Sequence, residues 1–123
     1  MCVINTEELL ERCMGMSSIM ESVLAQFHTL GEEMLAEVEK QVNACKWEDA
    51  ARAAHSLKGA SGSISAAVLH TTAARMEAHA RNADAEACRE LFPALRQEME
   101  RCLADIPAIL RDCKAQAGCS SDE

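Results

Sequence analysis

WEDAARAAHSLKGASGSI, residues 47–64, decides the fold, because its apolar and small residues recur at helical steps. Trp47, Ala50, Ala54, Leu57, Ser61 and Ile64 follow one another at intervals of three and four. At about 100° per residue they form one stripe that must be buried against other helices. His55 points roughly 130° away from the centre of that stripe, so it is expected to face solvent. Within about 60° of it lie Ala51, Arg52, Lys58, Gly59, Gly62 and Ala66, mostly small residues with two cations among them. The segment therefore reads as a helix that turns a packing stripe inward and an imidazole outward.

The same periodicity extends in both directions. Upstream, Asn5 is placed to cap a short helix through Glu8, Leu9, Leu10 and Cys13, which Gly15 interrupts. Ser18 and Glu21 form a second capping-box pattern, and Ile19, Val23, Phe27, Leu30, Met34, Val38 and Val42 predict one long helix ending near Cys45. Downstream of the Gly/Ser-rich stretch 59–65, a further helix turns Val68, Leu69, Ala73, Met76 and Ala80 inward and closes at Asn82-Ala83-Asp84. Asp84 can cap the last helix, which carries Cys88, Leu91, Leu95, Met99, Cys102 and Ile106. Pro93 is expected to kink or break it, and Pro107 to do the same near its end. The pattern predicts an all-α fold, an antiparallel four-helix bundle with an additional short N-terminal helix, over residues 1–116, followed by a flexible polar tail at 117–123.

Composition agrees with one helical domain. A chain of 123 residues, 49% of them hydrophobic and only 2% aromatic, supplies a single core of aliphatic and small side chains. Acidic residues outnumber basic ones by 20 to 12, and a net charge of -8 without any basic run argues against nucleic acid and anionic membrane surfaces as partners. No stretch reaches the roughly 20 apolar residues that span a bilayer, and no signal-peptide pattern opens the chain, so a cytoplasmic location is expected. The seven cysteines are odd in number and include no Cys-x-x-Cys pair; they read as reduced thiols packed as small apolar groups. Met1 and the acidic end favour a standalone chain, and a monomer is the simplest expectation.

The chemistry centres on His55. Glycine inside a helix costs about 1 kcal/mol relative to alanine, so Gly59 and Gly62 on consecutive turns beside one exposed imidazole call for a reason. Bare backbone would let another protein bring its active-site cleft up to the ring nitrogen, as in-line phosphoryl transfer requires. Gly62 alternatively closes the helix as a C-cap. Lys58 supplies a mobile point charge one turn on, and Glu48 and Arg52 pair at i,i+4 to shape the approach surface. A neutral imidazole is nucleophilic near pH 7 and its phosphoramidate stays reactive enough to pass the group on. No phosphate-cradling glycine loop and no set of kinase motifs occurs, so neither ATP binding nor autonomous kinase activity is expected. His28, His70 and His79 lack the glycine-lysine setting and read as structural; His70 and His79 also lack metal-ligand spacing to any cysteine, so no metal or cofactor is expected on this chain.

The run Ala54-His55-Ser56-Leu57-Lys58-Gly59-Ala60-Ser61-Gly62 resembles the signature of histidine phosphotransfer (HPt) domains. The similarity extends from Leu9-Leu10-Glu11-Arg12 through Trp47-Glu48-Asp49 to Met76-Glu77-Ala78-His79-Ala80-Arg81 and about Leu103, most of the chain. By that resemblance His55 is the phosphorylated residue, Lys58 assists the phosphate, and Gly59 and Gly62, with Ala51 and Arg52, form the docking surface. Glu77 falls where the family places a polar residue that accepts from the inner imidazole nitrogen and fixes the tautomer. The implied function is a phosphorelay intermediate that accepts a phosphoryl group from a receiver aspartate and passes it to another. Its partners would be response-regulator receiver domains, which carry the Mg²⁺, and a hybrid or chemotaxis-type histidine kinase. The alternatives are the phosphate-accepting domain of a chemotaxis-type kinase and a receiver-binding module that is never phosphorylated. The family commonly has glycine ten residues after the histidine, where this chain has Ser65, so a different turn is expected there.

Overall fold

Asn5 opens the first element as its sequence position predicts: the Glu8 backbone N–H donates to Asn5 Oδ1 at 3.0 Å, capping α1 (Thr6–Arg12). Four further helices follow in this computed structural model, α2 (Ser17–Asn43), α3 (Trp47–Ser63), α4 (Ala67–Arg81) and α5 (Ala85–Ser121). The structure describes residues 4–121, with side chains to residue 113, so the tail expected at 117–123 lies outside the described side chains. Asp84 caps α5 by accepting from the Ala87 N–H at 3.1 Å. Ser18 does not cap α2: that helix starts at Ser17, after Met16, with no side-chain cap.

Helices α2 to α5 form a ring in which each packs on the next and α5 returns to α2, with the α3–α4 pair in closest association. Connections of three residues at 44–46, 64–66 and 82–84 force consecutive helices antiparallel, which gives the expected four-helix bundle. Small residues line the buried faces of α3 and α4, with Ala50 and Ala54 on the first and Ala73 and Ala80 on the second fully buried. Leu57 and Met76 are also sealed from solvent, each contributing roughly 1.5–3 kcal/mol. On the other side α2 reaches α5 at Gly31, where an added Cβ would lie 3.0 Å from Leu103 Cδ2 and from Met99 Sδ.

Three expectations need correction. The buried face of α2 is Met20, Leu24, Phe27, Gly31, Val38 and Val42, so Ile19 and Leu30 lie on the exposed flank. The expected stripe was rotated by about one residue in its first half because Gly31, an inward position, carries no apolar signal. Val68, expected inward, is 53% exposed, with Leu69 taking the core position. Neither proline breaks α5, which runs continuously through Pro93 and Pro107. Pro93 lies on the solvent face, where the carbonyl it leaves unbonded, that of Arg89, can bond water instead.

All four helix ends from α1 to α4 close alike. Met14, Cys45, Ser65 and Ala83 take φ values of 58°, 57°, 57° and 53°, the left-handed region that glycine usually fills. At each end the next N–H bonds back five residues, from Gly15 to Leu10, Lys46 to Gln41, Ala66 to Ser61 and Asp84 to His79. Helix α3 therefore ends at this turn and not at Gly62. The departure at Ser65 is in the residue and not in the turn, which keeps the glycine-type backbone. Ser65 is buried, its hydroxyl finds no partner among the described residues, and its carbonyl accepts from the Asn5 N–H at 3.0 Å. Because a side chain in this region costs roughly 1–2 kcal/mol, Ser65→Gly and Ala83→Gly should each stabilise the fold by about 1 kcal/mol. Urea denaturation should show the gain as a raised midpoint at unchanged slope, and a lowered midpoint in both variants would refute the strain.

Candidate functional site

His55 sits mid-way along α3 with its side chain 61% exposed, facing α4 across Glu77. Glu77 is the reverse case, a carboxylate with only 9% of its side chain exposed. His55 Nδ1 lies 3.1 Å from Glu77 Oε2 and 3.3 Å from Oε1. Lys58 Nζ is 2.9 Å from Oε1, and Arg81, one turn along α4, places Nε 3.1 Å from Oε2 with Nη2 on the same oxygen. Three nitrogen groups from two helices thus share one buried carboxylate.

The electrostatics follow from that sharing. Burial pushes the Glu77 carboxyl up, but the hydrogen bonds from Lys58, Arg81 and His55 and the nearby Lys58 charge outweigh it, and its pKa falls to about 2. Glu77 is therefore ionised at neutral pH and can only accept. The hydrogen between it and the imidazole then belongs to His55 Nδ1, which leaves the lone pair of the neutral ring on Nε2. The side chain itself lies mostly in solvent.

The expected docking residues divide. Gly59 is exposed, and a Cβ built on it would meet nothing within 4 Å. Arg52 is exposed and pairs with Glu48 at 2.8 Å. Ala51 is corrected: at 2% exposure it is core, because α4 covers that side of α3. Gly62 is also corrected, since a Cβ there would come within 3.2 Å of His70 Nδ1, so the bare backbone is already occupied by a ring of this chain. Among the described residues, Cys13, Cys45, Cys88, Cys102 and Cys113 form no disulfide and all but Cys45 are buried. Burial, above all, pushes the Cys88 and Cys113 thiols up, consistent with packing and not with reactivity.

The family model for the Hpt domain matches residues 22–105. The chain belongs to the Hpt domain family. Comparison with curated proteins and with solved structures found no match. As an Hpt domain it is a phosphotransfer module of two-component signalling, in a family whose members interact with response-regulator receivers. No helix among the described residues is long and apolar enough to cross a membrane. The Hpt domain also holds a site residue that the sequence reading passed over. Arg81 lies in the quoted run but was given no role; its i,i+4 spacing from Glu77 was the available signal.

Two measurements test this geometry. Imidazole ¹⁵N shifts should report Nδ1–H at His55, with the Nε2–H form appearing once Glu77→Leu removes the acceptor; a ring indifferent to that change would mean Glu77 does not set the tautomer. The second concerns acid stability. Because the folded pKa of Glu77, about 2, lies below its ordinary 4.5, its stabilisation is full above that ordinary value and is lost as pH falls towards 2. Glu77→Gln should flatten the pH dependence of unfolding free energy in that window, and an unchanged slope would contradict the depressed value.

Proposed function

We propose that His55 is a phosphorelay carrier, taking a phosphoryl group from one receiver aspartate and giving it to another. The observation that supports the reading most is the Nδ1–H bond to an ionised, buried Glu77, because it leaves the Nε2 lone pair on the exposed edge of the ring. That lone pair attacks the phosphorus of an aspartyl phosphate; the N–P bond forms as the P–O bond to the aspartate breaks, and its electron pair leaves on the carboxylate. No proton has to move. The ring keeps Nδ1–H, and the positive charge it gains lies beside the Glu77 carboxylate. Attack by a second receiver's aspartate on phosphorus reverses the sequence and restores the neutral imidazole.

Lys58 has a part that its resting contact supports. Its ammonium can leave Glu77 for the incoming phosphoryl oxygens, while Arg81 continues to compensate the carboxylate. The receiver brings Mg²⁺ and most of the transition-state stabilisation. Docking uses the open backbone at Gly59, with Arg52 beside it, and an apolar hollow of about 250 Å³ between α2 and α3, lined by Val23, Phe27, Leu30, Met34, Ala60 and Ile64. Shallow burial of this kind suits a partner that must leave. In this reading the protein works as a monomer in the cytoplasm, upstream phosphate coming through a hybrid or chemotaxis-type histidine kinase.

Incubation with a phosphorylated receiver should give acid-labile, alkali-stable label on the wild type and none on His55→Gln. Label surviving that substitution would remove His55 from the mechanism, and no label with any receiver would favour a pure binding module. Lys58→Ala should slow transfer about tenfold, the worth of one charge-assisted contact of roughly 1.4 kcal/mol. Gly59→Gln should raise stability by up to about 1 kcal/mol yet slow transfer by crowding the approach. Transfer at the wild-type rate would defeat the clearance argument.

A further inference from the structure

The turn that carries Lys58 is weak by composition, with Gly59, Ser61, Gly62 and Ser63 in the last stretch of α3. Three successive carbonyls in it each accept a side-chain donor. Ser61 Oγ donates to the Leu57 carbonyl at 2.6 Å and Ser63 Oγ to that of Gly59 at 3.0 Å, both within the helix. The middle one, the carbonyl of Lys58, lies 2.9 Å from Nδ1 of His70, which belongs to α4. A carbonyl only accepts, so His70 must hold its hydrogen on Nδ1.

His70 and Glu77 stand seven residues apart on α4, two turns along one face, with Arg81 a further turn on. Lys58 is thus tied to that face at both ends, its carbonyl to His70 and its ammonium to Glu77. The ring of His70 reaches the carbonyl only by lying over Gly62, where a Cβ would stand 3.2 Å from Nδ1 and 3.5 Å from Cε1. Gly62 is bare for His70 and not for a partner.

We propose that His70 is a positioning residue for phosphotransfer: its ring, seated on Gly62, anchors the main chain of Lys58 so that the ammonium starts from a fixed stem when it moves from Glu77 to the phosphoryl group. The assignment rests on the carrier reading of His55. The ring's bond is to the Lys58 carbonyl, and a Cβ built at Gly59 would meet nothing within 4 Å, so loss of the ring should lower the transfer rate at saturating receiver and leave the half-saturating receiver concentration unchanged.

The test combines rapid-quench transfer from a phosphorylated receiver with ¹⁵N spectra of the full chain. His70 in the wild type should show the Nδ1–H tautomer. His70→Leu should lower the saturating rate about fivefold, and His70→Asn, whose amide nitrogen replaces Nδ1, should recover most of it. Should His70→Leu not fold, Gly62→Ala serves: it favours the helix, yet by displacing the ring it should slow transfer. Wild-type rates in His70→Leu and Gly62→Ala, or an Nε2–H tautomer at His70, would overturn the assignment while leaving His55 labelling intact. Absence of label on the wild type would instead bring down the carrier reading, and this one with it.

Discussion

One buried carboxylate governs this molecule. Glu77 is nearly sealed from water yet stays charged, which is tolerable only because groups from two helices reach both its oxygens. Its charge places the shared hydrogen on His55 Nδ1, and in the proposed reading that decides which ring nitrogen reacts. Without Glu77, His55 would be an exposed imidazole free to take either tautomer. Without its cations, Glu77 would be a buried charge costing several kcal/mol, or a neutral acid that no longer dictates the tautomer.

Such an arrangement needs α3 and α4 in fixed register, and much of the bundle serves that end. The two helices are in closest association, and fully buried Ala54 and Leu57 on α3 and Ala73 and Met76 on α4 anchor them in the core. The α3–α4 turn is held from outside by the N-terminal segment, through the Asn5 N–H on the Ser65 carbonyl. On α4, His70, Glu77 and Arg81 line one face, so a shift of that helix along α3 would disturb every polar contact of the site together. Helices α2 and α5, which meet at Gly31, complete the ring without contributing a group to the Glu77 cluster.

How far the sequence could be read follows from the kind of signal each feature leaves. The five helices and the outward His55 were legible because hydrophobic spacing encodes them directly, and Lys58 and Gly59 because helix geometry puts them next to it. The left-handed residues Met14, Cys45, Ser65 and Ala83 were not, since their backbone is imposed by hydrogen bonds across the turn and no glycine marks them. Pro93 misled because a proline on a solvent-facing turn loses a bond that water can replace. Ala51 and Gly62 misled for a common reason: angular position on α3 says which residues neighbour His55, but not which side α4 covers. Arg81 depends on the α3–α4 pairing, which periodicity along one helix cannot supply.

The charge balance of the site also separates it from the rest of the surface. Overall the chain is acidic, at -8, and would repel a phosphorylated acidic partner. Around His55 the sign is reversed, because Lys58 and Arg81 are two cations against the one carboxylate of Glu77, while Arg52 and Glu48 cancel each other. In the proposed reading the surplus cation, Lys58, rests on Glu77 at 2.9 Å until an anion arrives. A phosphoryl group brought to His55 would therefore meet a local surplus of positive charge on a chain that is acidic overall. An Hpt site built this way can favour an anion without a deep pocket, since the long-range acidic field is screened within about 8 Å at physiological salt, whereas the local cations act at contact.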